Sequence, residues 1–380
     1  MFALPIGLFF AAAEDPPHAR SVLATASALT IGSGLGLWPA GRLLDRIGRW
    51  RGLRRCMLAG AGSLAVLAVA VGWAWPKPAV LAVATLSGVA WSPVIATPRA
   101  LLPEVVPVSR LPWASGIEAT SIEVALVLAP LAGALLGRWG PPAAPAGAAG
   151  LLVVAGVLLP APADVGPSTA TGQPLLSRKV TALAGLALLL GVSGGMLEPG
   201  LAALPTTLLG DLAGNAALFV AIAAGSAVGG LLAARTAWPS RTLHSVALFA
   251  VHAVALAGAA TTDGVVQVGL LVVAGLPIAP LQSLAGLHFD RVAGPGRASE
   301  TFGLVATVLT LATGGGQAIA ARVAGRLDPH HLLLMAAALP MLAAILVALH
   351  PARRSSASVG GSTSARRARR DVAGRRSRST

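Results

Sequence analysis

Apolar residues run along this chain in long blocks, separated by short clusters of Arg, Pro and acidic residues. A helix needs roughly 20 apolar residues to cross a hydrocarbon core of about 30 Å. The pattern predicts spans over residues 21–41, 55–75, 79–100, 113–137, 142–161, 180–203, 212–234, 242–261, 264–287, 301–322 and 332–350. Ahead of them, residues 1–13 form a shorter apolar run closed by Glu14, Asp15, Pro16 and Pro17. Thirteen helical residues rise only about 20 Å, too little to cross. A secretory signal would carry a basic start, yet no Lys or Arg precedes Arg20. We expect this run to be the second half of a first membrane helix, truncated here, whose beginning lies upstream.

The distribution of positive charge predicts the orientation, because cytoplasmic loops collect Lys and Arg. If residues 1–13 exit the membrane outward, 23 of the 28 Lys and Arg residues fall on the cytoplasmic side. Arg20, Lys77, Arg138, Arg322 and Arg326 fall outside. Both termini are then cytoplasmic, as in a multi-pass protein of the cell membrane. Midway along the chain, the stretch 161–179 is rich in Pro, Gly, Ser and Thr. It separates six spans from six, as a transporter needs when its halves rock against one another. The expected organisation is an N-terminal six-helix bundle (1–161), a cytoplasmic linker (162–179), a C-terminal six-helix bundle (180–350) and a basic disordered cytoplasmic tail (351–380).

Composition narrows the class. Of 380 residues, 55% are hydrophobic and 11% charged, with a mean hydropathy of +0.76. Soluble domains carry about 25% charged residues, so no soluble fold covers this much apolar sequence. The net charge of +14 invites a nucleic-acid reading, but nine Arg against Asp371 lie in the tail 351–380. Such a run suits anionic lipid headgroups, and no nucleic-acid partner is expected. One cysteine, Cys56, leaves no intrachain disulfide, and seven scattered His show no metal-ligand spacing. No phosphate-binding G-x-x-x-x-G-K-[ST] loop occurs, so ATP is not expected to drive this chain. Neither cofactor nor metal is expected, and no paired catalytic motif suggests an enzyme.

Between the second and third spans the chain reads Gly41-Arg42-Leu43-Leu44-Asp45-Arg46-Ile47-Gly48-Arg49-Trp50-Arg51. This resembles the loop motif of the major facilitator superfamily, with Trp50 where a basic residue is usual. Gly230-Leu231-Leu232-Ala233-Ala234-Arg235 looks like a decayed second copy lacking the acid. The resemblance covers residues 1–350 and implies an all-α polytopic membrane protein with the twelve-helix, six-plus-six fold. It also implies that Gly41, Asp45, Arg46, Gly48 and Arg49 form a gate, with Asp45 facing the start of the eleventh helix near Ser299, Glu300 and Thr301. Physically, Arg42, Arg46 and Arg49 surround Asp45, and a carboxylate suits a positive helix end. The alternative is that these arginines only obey the positive-inside rule. Ala129-Pro130 with Gly133 in the fifth span is similar to the antiporter motif of bacterial drug exporters, although Ala129 replaces its first Gly. Helix packing explains that stretch equally.

Three carboxylates fall inside predicted spans: Glu118, Glu123 and Glu198. Each costs several kcal/mol if charged at depth and marks a pathway or a pair. Glu123 lies about 15 Å in from Trp113, near the midplane, and is a candidate proton carrier or a hydrogen-bonded structural acid. Glu118 points about 140° away from it, towards a pairing with Arg99 or Arg110. Arg99 lines the transport pathway or snorkels from a loop. Glu198, within Gly194-Gly195-Met196-Leu197-Glu198-Pro199-Gly200, is expected at a helix break that binds a proton or a cation, or else at the headgroup boundary. The function expected is proton-coupled export of a small organic solute through the lipid bilayer. The alternatives are sugar or amino-acid uptake on the same fold and a non-transport membrane protein.

Overall fold

The computed structural model describes residues 19–47, 49–94, 106–107, 110, 125, 128, 132, 135–159, 178–204, 211–236, 242–281 and 298–349. The expected first half-helix, most of the span 113–137, nearly all of the linker and the tail lie outside these residues. The described elements are helices α1 (Ala19–Ile47), α2 (Arg49–Gly72), α3 (Lys77–Trp91), α4 (Ala143–Leu158), α5 (Arg178–Ala203), α6 (Asp211–Thr236), α7 (Thr242–Ala259), α8 (Gly264–Gly275), α9 (Ala298–Val323) and α10 (Pro329–Leu349). No strand occurs among the described residues. Among the described residues, seven stretches are long and apolar enough to cross a membrane, and Lys77–Trp91, Ala143–Leu158 and Leu243–Ala259 are apolar but shorter.

The helix bounds follow the predicted spans except where charge or proline intervenes. Helix α1 runs on to Ile47 and α2 begins at Arg49, so the Gly41–Arg51 motif is mostly helical where the sequence suggested a loop. Arg and Leu favour helix, and once outside the hydrocarbon their charge does not oppose its continuation. Helix α8 stops at Gly275, well short of the predicted 287. Pro277 has no N–H to continue the helical ladder, although Leu276 keeps helical angles, and Ile278–Leu281 resumes the helix after a turn at 276–277. By contrast Pro39, Pro199 and Pro340 lie inside α1, α5 and α10 without ending them. Membrane helices tolerate this because their neighbours re-satisfy the freed carbonyls.

Helix packing depends on glycines, as expected where lipid supplies no hydrophobic drive between helices. On α1, Gly32 and Gly36 bring the backbone onto Thr85 and Val89 of α3, while Gly88 of α3 faces Leu29 and Ser33. Trp91 closes this contact: its Nε1–H donates to Ser33 Oγ over 2.6 Å, and Ser33 donates to Leu29 O over 2.9 Å. Trp91 is therefore part of the core. The same arrangement recurs later in the chain. Gly225 and Gly229 of α6 meet Val272 and Leu276 of α8, and Gly275 faces Ile222 and Ser226.

The start of α1 is packed among the later helices. Leu23 and Ala26 share one buried cluster with Met196 and Leu201 of α5, Phe219 of α6, Leu256 of α7, Leu271 of α8, Ala320 of α9 and Leu333 of α10. Large apolar side chains such as Leu151, Leu158, Val265 and Leu349 remain exposed on the perimeter, where lipid covers them.

Adding one methyl at a glycine contact tests this packing. A Cβ at Gly225 would strike the Val272 carbonyl, whereas one at Gly185 meets nothing within 4 Å. Gly225→Ala is expected to cost about 1–3 kcal/mol and to lower the thermal midpoint in detergent. Gly185→Ala should leave that midpoint in place.

Candidate transport site

Helix α9 is held between two partners, α1 and α5. Towards α1, the Ser27 hydroxyl donates to Gly314 O over 2.8 Å, Gly314 abuts Ile31, and Gly34 abuts Leu311. At the end of this seam Arg20 Nε–H donates to Ala324 O over 3.0 Å. Ala324 follows the last residue of α9, and Gly325 at φ +71° turns the chain out of the helix. Arg20 thus supplies a cation to a helix C-terminus, where orphan carbonyls and the dipole favour positive charge. Towards α5, Gly191 and Gly195 lie on the Leu309 and Thr313 carbonyls, and Gly316 lies on Val192 O. The Gly314-Gly315-Gly316 run therefore serves two neighbours, with Gly314 on α1 and Gly316 on α5.

The polar centre of this arrangement joins α5 to α9. Gln317 Nε2–H donates to Glu198 Oε2 over 2.9 Å. Gln317 is 1% exposed and Glu198 is half-buried. The other amide atom, Gln317 Oε1, is buried and has no hydrogen-bond partner among the described residues. An unsatisfied buried acceptor costs about 1–3 kcal/mol, so a donor that reaches this oxygen stabilises the contact. The pair thus offers a carboxyl group and a vacant acceptor on facing helices, inside the stretches Val180–Ala203 and Gly303–Val323.

The helix break expected at Glu198 does not exist: α5 is continuous from Arg178 to Ala203, through Pro199. Close contacts to α9 and α10 brace it there. Gly195 sits against Thr313, the Ser193 hydroxyl donates to Ala336 O over 2.7 Å, and Gly200 meets Leu333. Glu198 consequently projects from an intact helix and is addressed by a side chain, not by freed carbonyls.

The other predicted residues are not brought to this site by the described structure. Gly41, Asp45 and Arg46 belong to α1 and Arg49 opens α2, but their side chains lie outside the described residues. Gly48, Arg99, Glu118 and Glu123 lie outside them entirely, and Arg110 is exposed. Ser299, expected at the start of the eleventh helix, falls one residue inside α9, which starts at Ala298. Sequence reasoning missed Gln317. Its signal was an amide within an apolar span, directly after three glycines that mark a close helix approach.

No curated protein matches the chain in a sequence comparison. A family model, that of the Major Facilitator Superfamily, matches residues 16–317. That stretch holds the seam of α1 with α9, the glycine contacts and both members of the Glu198–Gln317 pair, and the chain belongs to this superfamily of multi-pass membrane transporters.

Proposed function

We propose that the protein is a secondary active transporter that exports a small organic solute from the cell in exchange for protons, by alternating access. The single observation that carries the proton coupling is the Glu198 carboxyl group inside a membrane span, bonded to the Gln317 amide on the facing helix. A carboxyl group at such depth is costly unless it has a task, and a proton is the smallest ligand able to remove its charge. Export follows from the likeness of the stretch around Pro130 and Gly133 to the antiporter motif of exporters.

In this reading residues 1–161 and 180–350 are two bundles that rock about a site between them, joined by the linker 162–179. The matched glycine contacts of α1 with α3 and of α6 with α8 support a repeated plan. Asp45, flanked by Arg46, Arg49, Gly41 and Gly48, closes the cytoplasmic end against the start of α9. Its support is the antiparallel seam, in which successive α1 residues Arg20, Ser27 and Gly34 meet Ala324, Gly314 and Leu311. Arg20 grips the opposite end of α9, so the two ends of one helix carry opposite clamps, each worth about 0.3–1 kcal/mol. Glu123, Glu118 and Arg99 supply further polar groups along the pathway. Both termini face the cytoplasm, and the arginines of 351–380 rest on anionic lipid.

Reconstituted vesicles test the coupling. With an imposed pH gradient and a panel of fluorescent organic solutes, Glu198→Gln should lose gradient-driven accumulation down to the level of empty vesicles. Solute exchange without a gradient should survive. Asp263→Asn is the control, because Asp263 is exposed and its side chain caps nothing at α8. Full proton-driven transport by Glu198→Gln would refute the role of Glu198.

A second measurement addresses the gate. Asp45→Asn should slow transport several-fold while insertion and protein level stay as in the parent, because only the closed state loses its clamp. An unchanged rate at matched protein levels removes Asp45 from the mechanism.

A further inference from the structure

The Gln317 side chain has no part in the motif that assigns this family, yet its geometry is specific. It presents two groups in one plane, an N–H donor already engaged by Glu198 Oε2 and a carbonyl oxygen with no partner. An ionised carboxylate is acceptor-only and can use the first group but never the second. A protonated carboxyl group offers one acceptor and one donor, the mirror image of the amide. The buried orphan acceptor is therefore matched by one form of Glu198 and left empty by the other.

We propose that Gln317 is the positioning residue that reads the protonation state of Glu198, by closing a two-bond acid–amide pair across the α5–α9 contact when Glu198 takes up a proton. This rests on the reading of Glu198 as the coupling carboxyl group. The step balances simply. A hydronium ion gives its proton to Glu198 Oε1: its O–H bond breaks to leave water, and the new carboxyl O–H donates to Gln317 Oε1 while Nε2–H continues to donate to Oε2. Deprotonation reverses it, and no other bond breaks. The loaded pair ties α5 to α9 by two bonds in place of one. Because α9 also forms the seam with α1, the proton is sensed on the helix that links the early and late parts of the chain.

No described charged group competes for this position. On the elements packed around it, Arg20 is engaged by Ala324 O and His330 Nδ1 lies 2.8 Å from Ala260 O. Arg322, Arg326 and Asp328 are exposed at the helix ends, and Asp328 Oδ1 accepts from His330 N. His331 sits in the first turn of α10, and the side chain of Asp211, at the start of α6, lies outside the described residues. None of the described groups is hydrogen-bonded to Glu198.

Infrared difference spectra of the full-length reconstituted protein, taken across a pH titration, test this without any transport substrate. Subtracting the Glu198→Gln spectrum isolates the C=O stretch of protonated Glu198. That band is expected in the parent protein at a hydrogen-bonded frequency. In Gln317→Met, which keeps side-chain length but has no amide, it should move to the frequency of a free acid. The exchanged pair, Glu198→Gln with Gln317→Glu, rebuilds an acid and an amide on opposite helices and should restore the bonded band. A band that stays in place in the Met variant overturns the proposal. Failure of the exchanged pair to regain the bonded band does so as well. A bonded band alongside transport that ignores the pH gradient counts instead against the proposed coupling, so the two failures are separable.

Discussion

The close approach of helix backbones on both sides of α9 is the constraint on which the rest of this molecule depends. In lipid there is little hydrophobic gain from bringing helices together, so contact must come from van der Waals packing and a few hydrogen bonds. Glycine is the only residue that lets main chain meet main chain, and α9 presents Gly314 to α1 and Gly316 to α5. Gly34, Gly191 and Gly195 answer from the facing helices. Any side chain at these positions would push the helices apart, and the polar contacts that follow would be out of reach.

Once the backbones are this close, short polar side chains act across the seams. Ser27 reaches a carbonyl of α9 and Ser193 reaches one of α10. The Gly314 carbonyl lies inside its own helix and lends Ser27 a spare lone pair, whereas the Ala336 carbonyl is the one left without a helical donor by Pro340, and Ser193 supplies it. Gln317 is longer, extends past the glycine contact, and meets Glu198. A carboxyl group that would be an expense in an isolated helix is thereby given a partner whose chemistry depends on its charge. Packing and polar contact share a cause: the glycines that allow tight assembly also set the distance at which Gln317 meets Glu198.

Arg20 shows the same economy at the end of the seam. The last carbonyls of any helix lack intrahelical donors, and α9 receives one from the first turn of α1, 304 residues earlier. The bond is exposed, so water competes for it and its net contribution is small.

The sequence by itself determined that this is a helical membrane protein and where most of its helices run. Span length, proline punctuation and charge between apolar blocks are local properties, and α5, predicted over 180–203, is observed as Arg178–Ala203. The motif around Asp45 carried the family for a similar reason, since its spacing is contiguous. It read Glu198 as a site but supplied the wrong setting, a broken helix, because Gly and Pro weaken a helix only when no neighbour braces it. The tertiary structure alone decided that α5 stays whole there, that Gln317 addresses Glu198 across 119 residues and that Arg20 caps α9. Such pairs follow from which glycine faces meet and in what register, and neither a composition nor a periodicity along one helix contains that information.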